Sequence, residues 1–547
     1  MRLVDLTVSI PSGEIKVPLD EVRPPELWKT LEFRFYAIVA CFVVPIMAWI
    51  PVSLSLSSHP NYLKYQSRLS PGWIPFRQVD NSDAQYRSFR NNIPVLTVLS
   101  WVYLFVKFAW VAREAAPPPN KLFLMPVTLF FSALFIIGLH GASIIKILII
   151  LTINYIIGKV CHGSRWGPTL TWLFNCLVLF ANEKCDGYRY GDLLPALGFL
   201  DSYPGFYPRW HISFNITMLR LISFNMDYYW TCRSAAEPKM DLRNLSTKDR
   251  LIEKHPTDMY SYMNYLAYVL YPPLYIAGPI MTFNDFLWQH RCPLRITGHT
   301  ALLYFIRFLV SLLTMEIILH FMYVVAIKDT KAWVGDSPAE ISMIGFWNLI
   351  IVWLKLLIPW RFFRLWALLD GIDPPENMVR CMANNYSTLG FWRSWHRSYN
   401  LWIIRYIYVP LGGSQNAVVN TILVFSFVAL WHDLTFSLLA WGWLVSLFIL
   451  PELLASYLLP ARRFAKKIWY RHVTAVGAVL NIIMMMTANL VGFVIGTDGI
   501  RFFADQLFST SQGLCFLAGA CSCLFVGAQL MFEYREEEKR KGIFRRC

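Results

Sequence analysis

The sequence predicts an all-α polytopic membrane protein, and three observations carry that prediction. Hydrophobic residues make up 56% of the 547-residue chain and charged residues only 16%, against about 45–50% and about 25% in soluble domains. The excess is gathered into runs long enough to cross roughly 30 Å of hydrocarbon as helices. The runs lack the strict alternation over about ten residues that a membrane β-barrel strand needs.

In chain order, candidate spans lie near 35–54, 93–112, 122–140, 142–158, 168–181, 261–281, 300–327, 341–359, 417–431, 435–459, 473–496 and 513–532. Several fall short of the roughly 20 residues of a straight span, so about eleven crossings plus re-entrant or interfacial helices are expected. Ahead of them, MRLVDLTVSIPSGEIKVPLDEVRPP has no apolar stretch of the kind a cleavable leader needs, which leaves 35–54 as an uncleaved anchor. No loop is long enough to fold as a soluble domain. The chain divides into a tail at 1–34, N-terminal helices over 35–209, a core over 210–460 with a re-entrant segment at 360–416, C-terminal helices over 461–532 and a basic tail at 533–547.

Charge sets the expected orientation. The loop LPARRFAKKIWYRH carries Arg462, Arg463, Lys466, Lys467 and Arg471 with no acid, and EYREEEKRKGIFRRC carries six basic residues. Basic loops stay cytosolic, so the C-terminus is expected in the cytosol. An odd number of crossings then places the 1–34 tail in the lumen. The same rule accounts for the net charge of +15 without a nucleic-acid partner. The segment 360–416 is cytosolic on this count. A helix over 417–431 is about 23 Å long, short of the hydrocarbon thickness, so His432 is expected inside the membrane near the lumenal side.

Most of the eleven cysteines lie in apolar runs, with no CxxC pair or zinc spacing, and read as small buried hydrophobes. Cys381, fifteen residues before His396, poses a choice between a buried free thiol, the commoner case, and a ligand to a haem or metal.

Two stretches carry chemistry. In FWRSWHRSYNLWIIRYIYVPLGGSQN (391–416), Trp392, Trp395, Tyr399, Trp402 and Tyr406 recur at spacings of 3 and 4 and predict one face of a single helix. Arg393, His396, Arg397 and Asn400 fall on another face. Such a helix suits an interface or a re-entrant dip, and its arginines and aromatics would serve lipid phosphates and an aromatic belt. Charge is costly in hydrocarbon, however, so the cluster also points to function. The arginines flanking His396 disfavour its protonation. Val409-Pro410 ends the helix and Gly412-Gly413 make the turn. In FSFVALWHDLTF, His432 is an intramembrane imidazole able to accept a proton. Trp431 packs beside it, and Asp433 is placed to cap the following helix.

These stretches, with LRLISFNMDYYW (219–230) and YPPLYIAGPIMTFNDF (271–286) upstream, resemble the membrane-bound O-acyltransferases over about 210–460. Within that family they look most like the fungal glycerol uptake group, which is similar to hedgehog acyltransferase. The resemblance implies a helical core of the MBOAT type. It maps the family's invariant histidine onto His432 and its second, more variable site onto His396. It further implies transfer of a very-long-chain acyl group to the sn-2 hydroxyl of lyso-glycosylphosphatidylinositol (lyso-GPI) anchors in the endoplasmic reticulum membrane, with the plasma membrane as a second location. Acyl-CoA is the co-substrate, with no further cofactor, and lyso-GPI-anchored proteins and membrane lipids are the partners.

On this reading His432 is the base, and His396 positions substrate or supports the oxyanion. Arg393, Arg397 and Arg405 form the basic face toward acyl-CoA, and Asn400, Tyr399 and Trp431 line the pocket. No Ser or Cys stands in a triad-like arrangement, so the acceptor attacks the thioester directly. The alternatives are acylation of a secreted protein and a glycerol–proton symporter; the repeated halves common in symporters are not seen. Of the sequons at Asn215, Asn244 and Asn385, the last two fall in segments expected to be cytosolic and unglycosylated.

Overall fold

The computed structural model describes residues 25–114, 118–234, 245–543 and 545. The first 24 residues of the 1–34 tail and the sequon at Asn244 lie outside them. Among the described residues, nine helical stretches are long and apolar enough to cross a membrane, counting Leu122–Cys161 as one.

Helix α1 (Leu31–Leu54) is capped by the Thr30 side chain. Its Phe35, Phe42, Ile46 and Trp49 are exposed, as a lipid-facing stripe requires. A two-stranded hairpin, β1 (Leu69–Pro71) and β2 (Gln78–Asp80), pairs Leu69 with Asp80 and precedes α2 (Ala84–Arg113). Helices α3 (Met125–His140), α4 (Ile144–Cys161) and α5 (Trp166–Lys184) follow. Helix α6 (Trp210–Cys232) is buried over most of its length and packs against α4 and α5.

The expected span at 261–281 is not continuous. Pro272, Pro273 and Pro279 lack the N–H a helix needs, and the run breaks into α7 (Tyr262–Val269), a short turn at Pro272–Tyr275 and an irregular stretch before α8 (Phe283–Arg291). These pieces are buried inside the protein. The reverse error concerns α6. It carries Asn215, Arg220, Asn225 and Asp227, so it is not an apolar run, yet it threads the interior. Arg220 donates to the Val269 carbonyl at 2.8 Å and to that of Leu274.

Next come α9 (Gly298–Phe321) and α10 (Pro338–Leu369). Ser337 and Glu340 form a reciprocal capping box at the start of α10, with Pro338 in the first turn. Short helices α11 (Thr388–Ser394) and α12 (Arg397–Ile403) precede α13 (Ala417–His432), α14 (Phe436–Leu458), α15 (Ile468–Phe493), α16 (Gly496–Phe508) and α17 (Ser511–Arg540). Helix α13 packs on α14, α14 on α15, and α15 on α17.

The two ends of the described chain meet, which corrects the expectation of opposite sides. The Leu27 amide donates to Glu533 at 3.1 Å, Trp28 donates to Glu537, and Arg471 pairs with Glu32. The segment leading into α1 therefore shares one end of the bundle with the close of α17 and the start of α15. Counting apolar runs included 261–281 and omitted α6, so the parity of the crossings was not readable from hydropathy. The cysteines also differ from expectation. The ten described thiols are half-buried or exposed, and none is fully buried.

Candidate functional site

The helix expected over the FWRSWHRSYNLW stretch breaks at His396. Helix α11 starts under a Ser387 cap that accepts from the Gly390 amide at 2.8 Å. Its end is captured from upstream in sequence. Met378 bridges Trp395, and the Val379 amide donates to the Ser394 carbonyl at 3.4 Å. Asn377 then accepts twice, from the Arg397 amide at its carbonyl (3.1 Å) and from the Ser398 amide at its side-chain oxygen (3.2 Å). His396, between the two helices, takes φ of +45°, a left-handed conformation uncommon for a residue with a side chain. Such conformations persist where surrounding contacts dictate them, commonly at functional sites. Ser398 also accepts from the Ile280 amide at 2.8 Å, which ties α12 to the loop after Gly278-Pro279.

Beyond α12, a π-helical turn at Ile404–Tyr408 brings Arg405 and Tyr406 onto Asp227 of α6. Arg405 donates to the carboxylate at 2.7 and 3.2 Å, and the Tyr406 hydroxyl at 3.0 Å. Arg405 is thus committed to a buried ion pair, a correction to its expected place on a free basic face. Gly412 and Gly413 both take positive φ in the turn to α13, as expected.

His432 closes α13. Its place is set by a two-way link to α6: the Trp431 indole donates to the Asn215 carbonyl at 2.9 Å, and the Asn215 amide donates back to the Trp431 carbonyl at 3.2 Å. Asp433 does not cap α14, contrary to expectation. It is extended and two residues short of the first turn, and Thr435 holds the cap position.

An aromatic chain joins the two histidines. Trp360 stacks on His396 with ring centroids 4.8 Å apart. Tyr399 lies 5.3 Å from His396 and 4.5 Å from Trp431, and Trp431 lies 4.9 Å from His432. The Tyr399 hydroxyl is buried without a hydrogen-bond partner, a cost normally avoided unless something else meets the group.

All these groups open on one cavity of about 2350 Å³. His396, His432, Tyr399, Asn400, Trp431 and Arg393 line it, and apolar side chains of α1, α10, α15 and α17 supply a large share of the remainder. His432 is exposed, and it lines this space. Arg397 is not on the cavity wall, so the structure separates it from the other predicted site residues. Cys381 is half-buried, and its carbonyl accepts from the Asn384 and Asn385 amides at 2.9 and 3.0 Å. No cluster of three His, Cys, Asp or Glu side chains suited to a metal occurs among the described residues.

Sequence reading did not find Asn215, Asn377 or Trp360. Asn215 was visible only as a sequon. Asn377 acts mainly through backbone geometry, which leaves no spacing signal. Trp360 reaches His396 from a different helix.

Two histidines thus line one interior cavity of a helical membrane protein, a setting in which polar groups are commonly functional. The sequence model of the MBOAT, membrane-bound O-acyltransferase family matches residues 196–497. The chain is 47% identical over 541 residues to "Membrane-bound O-acyltransferase GUP1" of Candida tropicalis, covering 97% of this chain and 91% of that protein. It is 46% identical over 535 residues to the protein of the same name in Saccharomyces cerevisiae, covering 96% and 94%. A shorter similarity, 30% over 192 residues, relates it to mouse "Protein-cysteine N-palmitoyltransferase HHAT", covering 34% of this chain and 38% of that one. This chain belongs to the membrane-bound O-acyltransferase family and is a multi-pass acyltransferase.

Proposed function

We propose that the protein transfers a very-long-chain acyl group from acyl-CoA to the sn-2 hydroxyl of lyso-GPI anchors in the endoplasmic reticulum membrane. The observation that carries the chemistry is the shared cavity: two imidazoles and the Tyr399 side chain, whose hydroxyl is buried just behind the wall, line a space whose walls are otherwise largely apolar. An acyl chain is favoured in such a space, and polar groups inside it act with little competition from water.

His432 takes the proton from the acceptor hydroxyl as its oxygen attacks the thioester carbonyl. The new C–O bond forms and the carbonyl oxygen becomes an oxyanion, which His396 or the Tyr399 hydroxyl meets as donor. The C–S bond then breaks. The departing thiolate recovers the proton from His432 and leaves as CoA thiol. Arg393, on the cavity wall, is the cation assigned to the phosphates of acyl-CoA.

The test is an acyl-transfer assay with purified protein, labelled very-long-chain acyl-CoA and a lyso-GPI-anchored protein. Labelled diacyl anchor is the expected product. Label on a peptide acceptor instead, with none on the anchor, would replace this reading with protein acylation.

A further inference from the structure

Among the described residues, the charged side chains lining the cavity are Arg209, Lys355 and Arg393, with no Asp or Glu. Lys355 is neutralised by Asp83 at 2.8 Å. Arg393 is assigned above to acyl-CoA. Arg209 forms no ion pair among the described residues.

Arg209 sits at the His432 end of the cavity. It immediately precedes α6, whose Asn215 grips Trp431. Helix α11, which carries Arg393, begins at the other end. The Leu389 amide donates to Glu452 at 3.2 Å, and Glu452 lies about 24 Å along α14 from Phe436, at 1.5 Å per residue. The two arginines flank the histidines from opposite directions.

The backbone leading to Arg209 is fixed. The Phe206 and Tyr207 amides donate to the Gly138 and Leu139 carbonyls at 3.0 and 2.7 Å, and the His140 ring bonds the Tyr207 carbonyl at 2.9 Å. Gly141 and Gly205 take positive φ and approach so closely that a Cβ on either would collide with backbone of the other segment. Of the nearby acids, Asp201 accepts from the Tyr190 and Gly191 amides at 2.9 Å each and Asp186 lies 3.1 Å from the His211 ring; neither forms an ion pair with Arg209 among the described residues.

A guanidinium with no carboxylate partner, held at the rim of an acid-free apolar cavity, suits a ligand with one phosphate and one chain. We propose that Arg209 binds the phosphate of an anionic lysophospholipid acceptor and so places the acceptor's free hydroxyl toward His432. In such a lipid the phosphate is only a few bonds from the sn-2 oxygen, so holding one positions the other. This deepens the proposed function and rests on it for the reaction, but the binding is measurable without turnover.

The experiment measures binding of three probes to purified full-length protein: lysophosphatidylinositol, glycerophosphoinositol and uncharged monoacylglycerol. Wild type, Arg209→Gln, Arg209→Lys and Arg393→Gln are compared, with thermal stability as the folding control. Loss of one charge-assisted contact predicts about tenfold weaker lysophosphatidylinositol binding in Arg209→Gln. Arg209→Lys should recover part of it, and Arg393→Gln should bind as wild type does. Chainless glycerophosphoinositol should bind far more weakly than the lysolipid; equal binding would mean a free-phosphate site and overturn the lipid assignment. Unchanged lysolipid binding in Arg209→Gln, or a loss confined to Arg393→Gln, overturns the proposal. If wild type transfers acyl groups to no acceptor, the function fails, and the binding series still decides the role of Arg209.

Discussion

Asn215 and Trp431 exchange hydrogen bonds in both directions, side chain to carbonyl at 3.2 and 2.9 Å, and so fix the end of α13 to the interior helix α6. His432 is the next residue, so its position depends on this link. Asn215→Leu removes one of the two bonds and leaves the Trp431 carbonyl without its donor, a loss of about 1 kcal/mol or more. The expected result is a kcat lowered about tenfold with the KM for acyl-CoA unchanged, read by initial rates on purified protein. A glycan on Asn215 would occupy the same amide, so intact-mass analysis should find none there.

Asn377 holds His396 in its left-handed conformation by accepting from both Arg397 and Ser398. Asn377→Ala keeps the carbonyl bond and loses the side-chain one. Transfer should fall several-fold in kcat while the yield of folded protein changes little. A rise in acyl-CoA KM alone would show that Asn377 serves the binding of that substrate instead.

Arg405 and Arg393 should separate cleanly. Removing Arg405 strands the Asp227 carboxylate, which is fully buried; breaking such a pair costs about 3–5 kcal/mol. Arg405→Ala should lower the thermal midpoint and the amount of protein recovered. Arg393→Ala removes an exposed side chain on the cavity wall, so stability should hold and the KM for acyl-CoA should rise. Equal stability losses in both variants would argue against assigning Arg393 to substrate.

Tyr399→Phe deletes a hydroxyl that has no hydrogen-bond partner among the described residues. If that hydroxyl only filled space, the change would be neutral or stabilising. If it meets the oxyanion, kcat should fall about tenfold or more at unchanged stability. Rates and melting curves on the same preparation distinguish the two.

Much of this architecture was legible in the sequence because hydrocarbon imposes a simple requirement. Apolar runs such as 35–54 and 473–496 have few alternatives to helix, and α1 and α15 lie over them. That His432 stands out in its run has a related reason, since few polar groups are tolerated there, and the structure places it on the cavity wall. The break at His396 was not. The aromatic spacing of 3 and 4 continues through it, and the competing acceptors come from Asn377, nineteen residues upstream. Helix α6 was hidden by its own polarity, since Arg220 and Asp227 are satisfied only by distant partners. Arg405 looked like a surface charge for the same reason. The separation of Arg397 from the cavity follows from the broken helix, which one continuous helical wheel cannot express.

The central claim is that His432 is the base for direct acyl transfer inside the cavity. It is tested most directly by comparing wild type with His432→Ala in the purified transfer assay, using labelled very-long-chain acyl-CoA and lyso-GPI-anchored protein. The account predicts labelled anchor with wild type, and no transfer above background with a folded His432→Ala protein that still binds acyl-CoA. Full transfer by His432→Ala would contradict it.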